Sequence, residues 1–390
     1  MSINLFLGIA LCIFLSLLAG RIVRLVKLPN VTGYLIMGLI MGPYCLNLIS
    51  VEMIHNLSIV PEVALGFIAL SIGAEFKLSY LKKVGKAPII IAFLEGFGAV
   101  FVVDLVLILT GNDVAFSLCL GAIAAATAPA ATLMVVKQYK ADGPVTRTLL
   151  PVVAIDDAVA LIAFGISVAL AKAIQDPSSS SLFMALLTPI IEILEAFVIG
   201  AILGVAFSWL TKEFKSRNNR LSIAIAMVFA CLGICQILNI SNLLCCMMMS
   251  AVYVNLSDVY ESVFELTDRV SAPLFMLFFF LSGAELNLAL IKTVGVIGFI
   301  YVVFRVVGKV SGAYLGAKIS HTEKTVQKYL GYTLIPQAGV AIGLATTAMS
   351  VVPEYGMQIH TIILCGTVIY ELIGPLVTKI ALTKANEIHI

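Results

Sequence analysis

Apolar runs long enough to cross a bilayer recur along the whole chain, each closed off by a short polar or charged stretch. They fall near residues 3–20, 32–49, 58–76, 88–110, 115–136, 146–171, 183–211, 221–238, 242–256, 268–286, 293–317, 328–350 and 357–382, the ninth being short. A helix satisfies its own backbone in lipid, and these lengths suit helices. The expected fold class is therefore an all-α polytopic membrane protein with 13 transmembrane helices. The first run is followed by Arg21, Arg24 and Lys27 and lacks a basic leader and a small-residue cleavage site. It reads as a membrane span and not as a cleaved signal.

Composition agrees: 61% of the 390 residues are hydrophobic and 12% charged, with a mean hydropathy of +1.09. Soluble domains carry about a quarter charged residues. The net charge of +2 implies no nucleic-acid partner, because the bases sit in loops. Those loops alternate. Arg21/Arg24/Lys27, Lys77/Lys82/Lys83/Lys86, Lys137/Lys140/Arg147, Lys212/Lys215/Arg217/Arg220, Lys318/Lys324/Lys328 and Lys379/Lys384 fall on one side. Glu52, Asn112/Asp113, "QDPSSSS", "NIS" and Glu354 fall on the other. The positive-inside rule then places the N-terminus outside and the C-terminus in the cytoplasm of a cell (plasma or inner) membrane. The acidic stretch "SDVYESVFELTDR" falls inside, which the rule tolerates because acids count little in it. The eight cysteines lie mostly in apolar runs without metal-ligand spacing and read as small core- or lipid-facing residues.

The chain also repeats itself. "GAEFKLSYLKKVG" (73–85) and "GAELNLALIKTVG" (283–295) share seven of thirteen positions at an offset of 210 residues. The offset spans an odd number of crossings, so the two halves run oppositely through the membrane. Inverted repeats are typical of secondary transporters, whose sites form at mid-membrane where broken helices meet. The same offset carries "AAATAPAAT" (124–132) onto "LIPQAGVAI" (334–342). The fifth and twelfth spans are thus both expected to break, at Pro129 and at Pro336 with Gly339, since proline removes a helix hydrogen bond. Thr127, Thr132 and Gln337 are at hand for the freed backbone groups.

Few ionisable residues lie deep in the spans: Glu95, Asp104, Asp156, Asp157, Glu192, Glu195, Arg305, Lys309 and Glu371. Each costs about 2.5–3.5 kcal/mol or more at the bilayer centre, so each calls for a partner or a function. A purely structural reading has the aspartates and the two bases form a neutral cluster that holds helices together. It does not explain why the cluster sits beside two broken helices. In the functional reading, Asp157 with Thr127 binds an alkali cation through oxygen ligands. A buried carboxylate trades that cation for a proton near neutral pH. Asp156 bridges to Lys309, and Glu95 pairs with Arg305, its counterpart at the same offset. Glu75 and Glu285 end their spans at the interface, Glu192 and Glu195 share a helix face, and His55, His321, His360 and His389 lie in loops or near span ends.

The aspartate pair in the sixth span, the broken fifth and twelfth spans and "RVVGKVSGAYLGAK" (305–318) resemble the monovalent cation:proton antiporter superfamily, in its NapA-like branch. The resemblance covers essentially the whole chain. It implies that Asp157 is the principal ion ligand, that Asp156 bridges to Lys309, and that a six-helix core moves against a dimerisation domain in elevator-type exchange. An acid pair with a lysine implies electrogenic exchange in that family; an asparagine–aspartate pair with an arginine implies the electroneutral kind. This chain has the acid pair and both bases. No G-x-G-x-x-G of a C-terminal nucleotide-binding domain is present, so regulation through such a domain is not expected.

The expected organisation assigns 1–57 to the dimerisation side and 58–172 to the first-repeat core. Residues 173–257 form a linker and interface spans, and 258–390 the second-repeat core. The expected activity is secondary Na⁺/H⁺ exchange serving pH homeostasis by a homodimer in the lipid bilayer, with no cofactor and no enzymatic reaction. K⁺ or Li⁺ in place of Na⁺, and a sodium-coupled organic-anion symporter, are the alternatives. A channel is disfavoured because no filter-like repeat is present.

Overall fold

A computed structural model describes residues 4–79, 85–175, 182–238, 240–286 and 294–388. Most of the second copy of the repeated stretch (287–293), part of the first (80–84), the Ser-rich linker and His389 lie outside the described residues. The described chain is helical: α1 (Leu5–Leu25), α2 (Asn30–Met41), α3 (Val51–Asn56), α4 (Ile59–Gly73), α5 (Ala87–Leu109), α6 (Val114–Ile123), α7 (Pro129–Tyr139), α8 (Pro144–Gln175), α9 (Leu182–Glu213), α10 (Arg217–Leu238), α11 (Asn242–Leu256), α12 (Tyr260–Glu285), α13 (Gly295–Ile319), α14 (Lys324–Tyr329), α15 (Gly339–Val351) and α16 (Pro353–Lys384). Seven of these are long and apolar enough to cross a membrane, and five shorter ones are also apolar.

Local chemistry moves several expected boundaries. The second run ends as a helix at Met41, because Pro43 disfavours helical backbone at Gly42, which is extended (ψ 172°). Pro129 does not kink a helix. It opens α7 at a first-turn position, where its missing N–H is not needed. Between α6 and α7, residues 124–128 are without α-helix. Likewise α14 passes into a 3₁₀ turn (Leu330–Leu334), and α15 starts only at Gly339.

By packing, the chain divides into two compact units, 1–84 with 191–285, and 85–190 with 286–390. The expected cut near residue 58 followed the repeated stretches; the observed cuts follow where backbones touch. In the first unit α2 and α12 meet through Gly38, whose Cα faces the Phe280 carbonyl, and through Gly283, which faces Leu35. Gly73 of α4 abuts the Met247 carbonyl of α11, and the Ser250 hydroxyl donates to the Leu70 carbonyl (2.5 Å). Small residues let membrane helices close to backbone contact, where dispersion and polar bonds replace the hydrophobic drive.

In the second unit the same device joins α5 to α13. Gly308, Gly312 and Gly316 recur every four residues, hence on one face. They lie against Ala99, against Leu94 with Glu95, and against Ile91. This unit also holds its C-terminal tail. Asn386 is left-handed (φ 60°) and ends α16. The next residue, Glu387, then accepts from the Val145 N–H (2.5 Å), the Thr146 N–H (2.8 Å) and the Thr146 hydroxyl (2.7 Å). It caps the N-terminus of α8, the helix that carries the aspartate pair. At the exposed rim beside it Arg147 bonds Asp142 (2.9 Å) and lowers that carboxyl below its usual range.

Candidate functional site

The two breaks lie side by side: the Ala128 N–H donates to the Pro336 carbonyl (2.8 Å), and the Thr132 hydroxyl to the Thr333 carbonyl (3.1 Å). Interrupting a helix in an apolar interior frees carbonyls that must find donors. Arg305 supplies most of them. Its Nε donates to Ala124 O (3.1 Å), Nη2 to Ala126 O (2.7 Å) and Nη1 to Ile335 O (2.7 Å). One planar guanidinium thus serves both breaks, with the Tyr370 ring 4.4 Å from its carbon. Gln337 Nε2 adds a bond to the Ile123 carbonyl (2.9 Å), and the Tyr301 hydroxyl donates to Gln337 Oε1 (3.1 Å).

The expected Glu95–Arg305 pair does not form. Glu95 meets Lys309 instead, at 2.5 Å. The reason is the glycine face of α13, which presses Gly312 onto Glu95 and brings Lys309, next to Gly308, into its reach. Arg305 lies one turn away and spends its donors on backbone. Lys309 uses all three ammonium donors: on Glu95, on Thr127 Oγ1 (2.7 Å) and on Asp156 Oδ2 (3.2 Å). The Thr127 hydroxyl in turn donates to Asp156 Oδ2. Thr127, expected beside Asp157, is therefore engaged by Asp156 and Lys309.

Asp157 differs from all of these. It is 2% exposed, and neither carboxylate oxygen has a hydrogen-bond partner among the described residues. Glu95, Asp156, Arg305 and Lys309 are each fully buried. Asp156 Oδ1 and Glu95 Oε1 are also unsatisfied, but each of those side chains has Lys309 on its other oxygen. A buried anion without donors is unfavourable by several kcal/mol, so Asp157 requires a proton or a cation.

The other deep charges do not join this cluster. Asp104 is half-buried against Gly121, with its Oδ1 unsatisfied. Glu371 is buried on α16 with Oε2 unsatisfied. Glu192 and Glu195 are exposed on α9, as are His55 and His321. Sequence reasoning did not anticipate the roles of Tyr301, Tyr370 and Glu387. For the Glu95–Lys309 contact a signal was present, in the four-residue glycine spacing of "RVVGKVSGAYLGAK".

Paired broken helices around buried acids and a lysine, in an all-helical bundle, define a secondary ion transporter. The family model described as "Sodium/hydrogen exchanger, transmembrane" matches residues 11–384, so the chain belongs to that family, within the monovalent cation:proton antiporters. It is a multi-pass membrane protein and a secondary-active Na⁺/H⁺ antiporter, not an enzyme. A solved structure of the sodium proton antiporter MjNhaP1 from Methanocaldococcus jannaschii at pH 8 matches with a TM-score of 0.73 at 18% identity, over 97% of this chain and 98% of that one. An electron-microscopy structure of the same antiporter matches with a TM-score of 0.73 at 19% identity, over 97% and 94%. At such identities the likeness speaks for the fold. No curated protein sequence matches the chain.

Proposed function

We propose that exchange runs through Asp157, which carries Na⁺ in one state and H⁺ in the other. The observation that carries this reading is a buried carboxylate with no donor on either oxygen, beside a lysine already committed to two other acids. A desolvated carboxylate binds either ion and is too costly to leave bare, so loading one expels the other. Asp156 and Lys309 form the contact that loosens when the cation arrives. Glu95 makes that loosening cheap, because Lys309 keeps a carboxylate at 2.5 Å and the Thr127 hydroxyl when it leaves Asp156.

The chain crosses the membrane thirteen times, N-terminus outside, as inverted repeats in a homodimer. Residues 85–190 with 286–390 form the body that carries the ion in elevator-type exchange. The repeat is supported by the helix bounds. Shifted by 210 residues, α6, α7 and α8 fall on α14 with its 3₁₀ turn, α15 and α16, and Gly85 and Gly295 are both left-handed (φ 73° and 53°). The loop charges support the orientation. Single cysteines near Arg217 and Lys324 should accordingly label from the cytoplasmic side alone.

The test is Asp157→Asn in proteoliposomes, with proton flux driven separately by Na⁺, Li⁺ and K⁺. Asparagine keeps the shape and a carbonyl ligand but cannot titrate. The variant should fold, reach the membrane and show no cation-driven proton flux at any pH. Robust flux in liposomes where the unaltered protein also works would remove Asp157 from the mechanism.

A further inference from the structure

The first unit holds a second cluster able to bind an ion, of a different chemical kind. Cys231 and Cys235 stand one turn apart on α10, and Cys245 faces them from α11 across the short hairpin. All three are fully buried, and their sulfurs lie within 4.8 Å of one another, Cys231 and Cys245 at 3.3 Å. A metal with about 2.3 Å bonds to sulfur sets its ligands about 3.8 Å apart in a tetrahedron and about 4.0 Å in a trigonal plane. The one closest pair is about half an ångström tighter than these values and no pair exceeds them by more than about 1 Å, so these three cysteines need little movement to converge on one point. The next residue, Cys246, is also fully buried and borders Cys231.

We propose that Cys231, Cys235 and Cys245 form a binding site for a soft d¹⁰ metal ion, zinc(II) or copper(I). Thiolate ligands select such ions over the hard alkali cations that oxygen sites take. From residue 221 to 257 the chain has no acidic, basic or histidine residue, so within this hairpin only the sulfurs can balance the ion's charge. Zinc(II) is neutralised by two thiolates with the third sulfur as thiol, and copper(I) by one thiolate. Each thiol that ionises releases one proton to solvent. An apolar interior favours such neutral complexes. Access is short: Cys235 and Cys245 each lie three residues, roughly 4.5 Å, from the helix ends at the hairpin. Gly200 of α9 lies against the Cys245 carbonyl and brings that helix close to α11.

The sequence hid this site because the ligands come from two helices and show none of the paired spacing of a zinc finger. The test uses the full chain, reduced and metal-free in detergent. It is titrated with Zn²⁺ against a chromophoric chelator and, in a separate arm, with Cu⁺ against a copper(I) chelator. Either ion should bind at one equivalent per chain, more than about tenfold weaker in Cys235→Ser and unchanged in Cys12→Ser. In the unaltered chain, X-ray absorption of the bound metal should show sulfur ligands at about 2.3 Å, which keeps the test valid if the variant does not fold. No binding of either ion, equal binding in Cys235→Ser, or bound metal held by nitrogen or oxygen ligands without sulfur would each overturn the site.

Discussion

Arg305 and Lys309 stand one turn apart on α13, both fully buried, yet they do opposite work. Arg305 meets no carboxylate among its hydrogen-bond partners and gives its fork to three carbonyls of the broken segments. Lys309 meets two carboxylates and a hydroxyl. The difference follows from the shapes of the two cations. A rigid planar fork fits fixed backbone acceptors, whereas an ammonium on a flexible stem can pass between carboxylates. One base builds the site and the other is placed to respond to what the site binds.

The sharpest way to break this comparison is to exchange the residue types. Arg305→Lys keeps the charge but cannot reach carbonyls on both breaks. Each acceptor left unmade in the interior costs about 1–3 kcal/mol, so the variant should lose several kcal/mol and most of its folded yield. Thermal unfolding in detergent and size-exclusion profiles check this. If Arg305→Lys unfolds within a degree or two of the unaltered chain, the guanidinium is not what holds the breaks.

Lys309→Ala should hurt less globally and more specifically. It leaves Glu95 and Asp156 buried without their cation, and breaking such a pair typically costs about 3–5 kcal/mol. Adding Glu95→Gln should recover part of that stability without restoring the exchange rate of the unaltered protein. Should the double variant be no more stable than Lys309→Ala, the 2.5 Å contact is not an energetic pair in solution.

What the sequence disclosed and what it concealed divide along the same line. The helices, the two breaks and the buried acids were legible, because hydropathy, proline and charge in lipid are local signals. The partners were not. Equivalence under the repeat suggested Glu95 with Arg305, but contact is decided by the glycine face of α13, which sets the depth at which each base meets α5. Thr127 was expected beside Asp157 on ligand chemistry alone, and the course of the extended segment turned it to Asp156. The tail cap joins Glu387 to Val145 and Thr146, which no single window contains, and the three clustered cysteines sit on two helices without a metal-ligand spacing.

A smaller change sharpens the Lys309 side. Glu95→Gln keeps a hydrogen-bond acceptor for Lys309 and removes one negative charge. Exchange should persist, because Asp157 is untouched. The ammonium then rests more on Asp156, so a cation must compete harder to free it, and apparent Na⁺ affinity should fall by about tenfold or less, roughly 1.4 kcal/mol. Concentration-dependent flux measures this. Unchanged affinity would mean that Glu95 does not share Lys309 with Asp156 during turnover.

The smallest effect tests whether backbone service by a charge is general in this unit. Glu387 does for N–H groups what Arg305 does for carbonyls: it accepts from Val145 and Thr146 at the start of α8. It is 2% exposed, but it closes a helix end, not a break inside the bundle. Glu387→Gln keeps one acceptor oxygen and loses the charge that favours a helix N-terminus, a change of about 0.5–2 kcal/mol. The expected result is a Tm lower by a few degrees with exchange still measurable, because Asp156 and Asp157 lie three turns further along α8. Glu387→Ala should cost somewhat more. If instead both variants match the unaltered Tm, the tail does not cap α8, and the service Arg305 gives to backbone is not general in this unit. If Glu387→Gln abolished exchange while leaving Tm unchanged, the tail would act on the transport cycle and not as a cap.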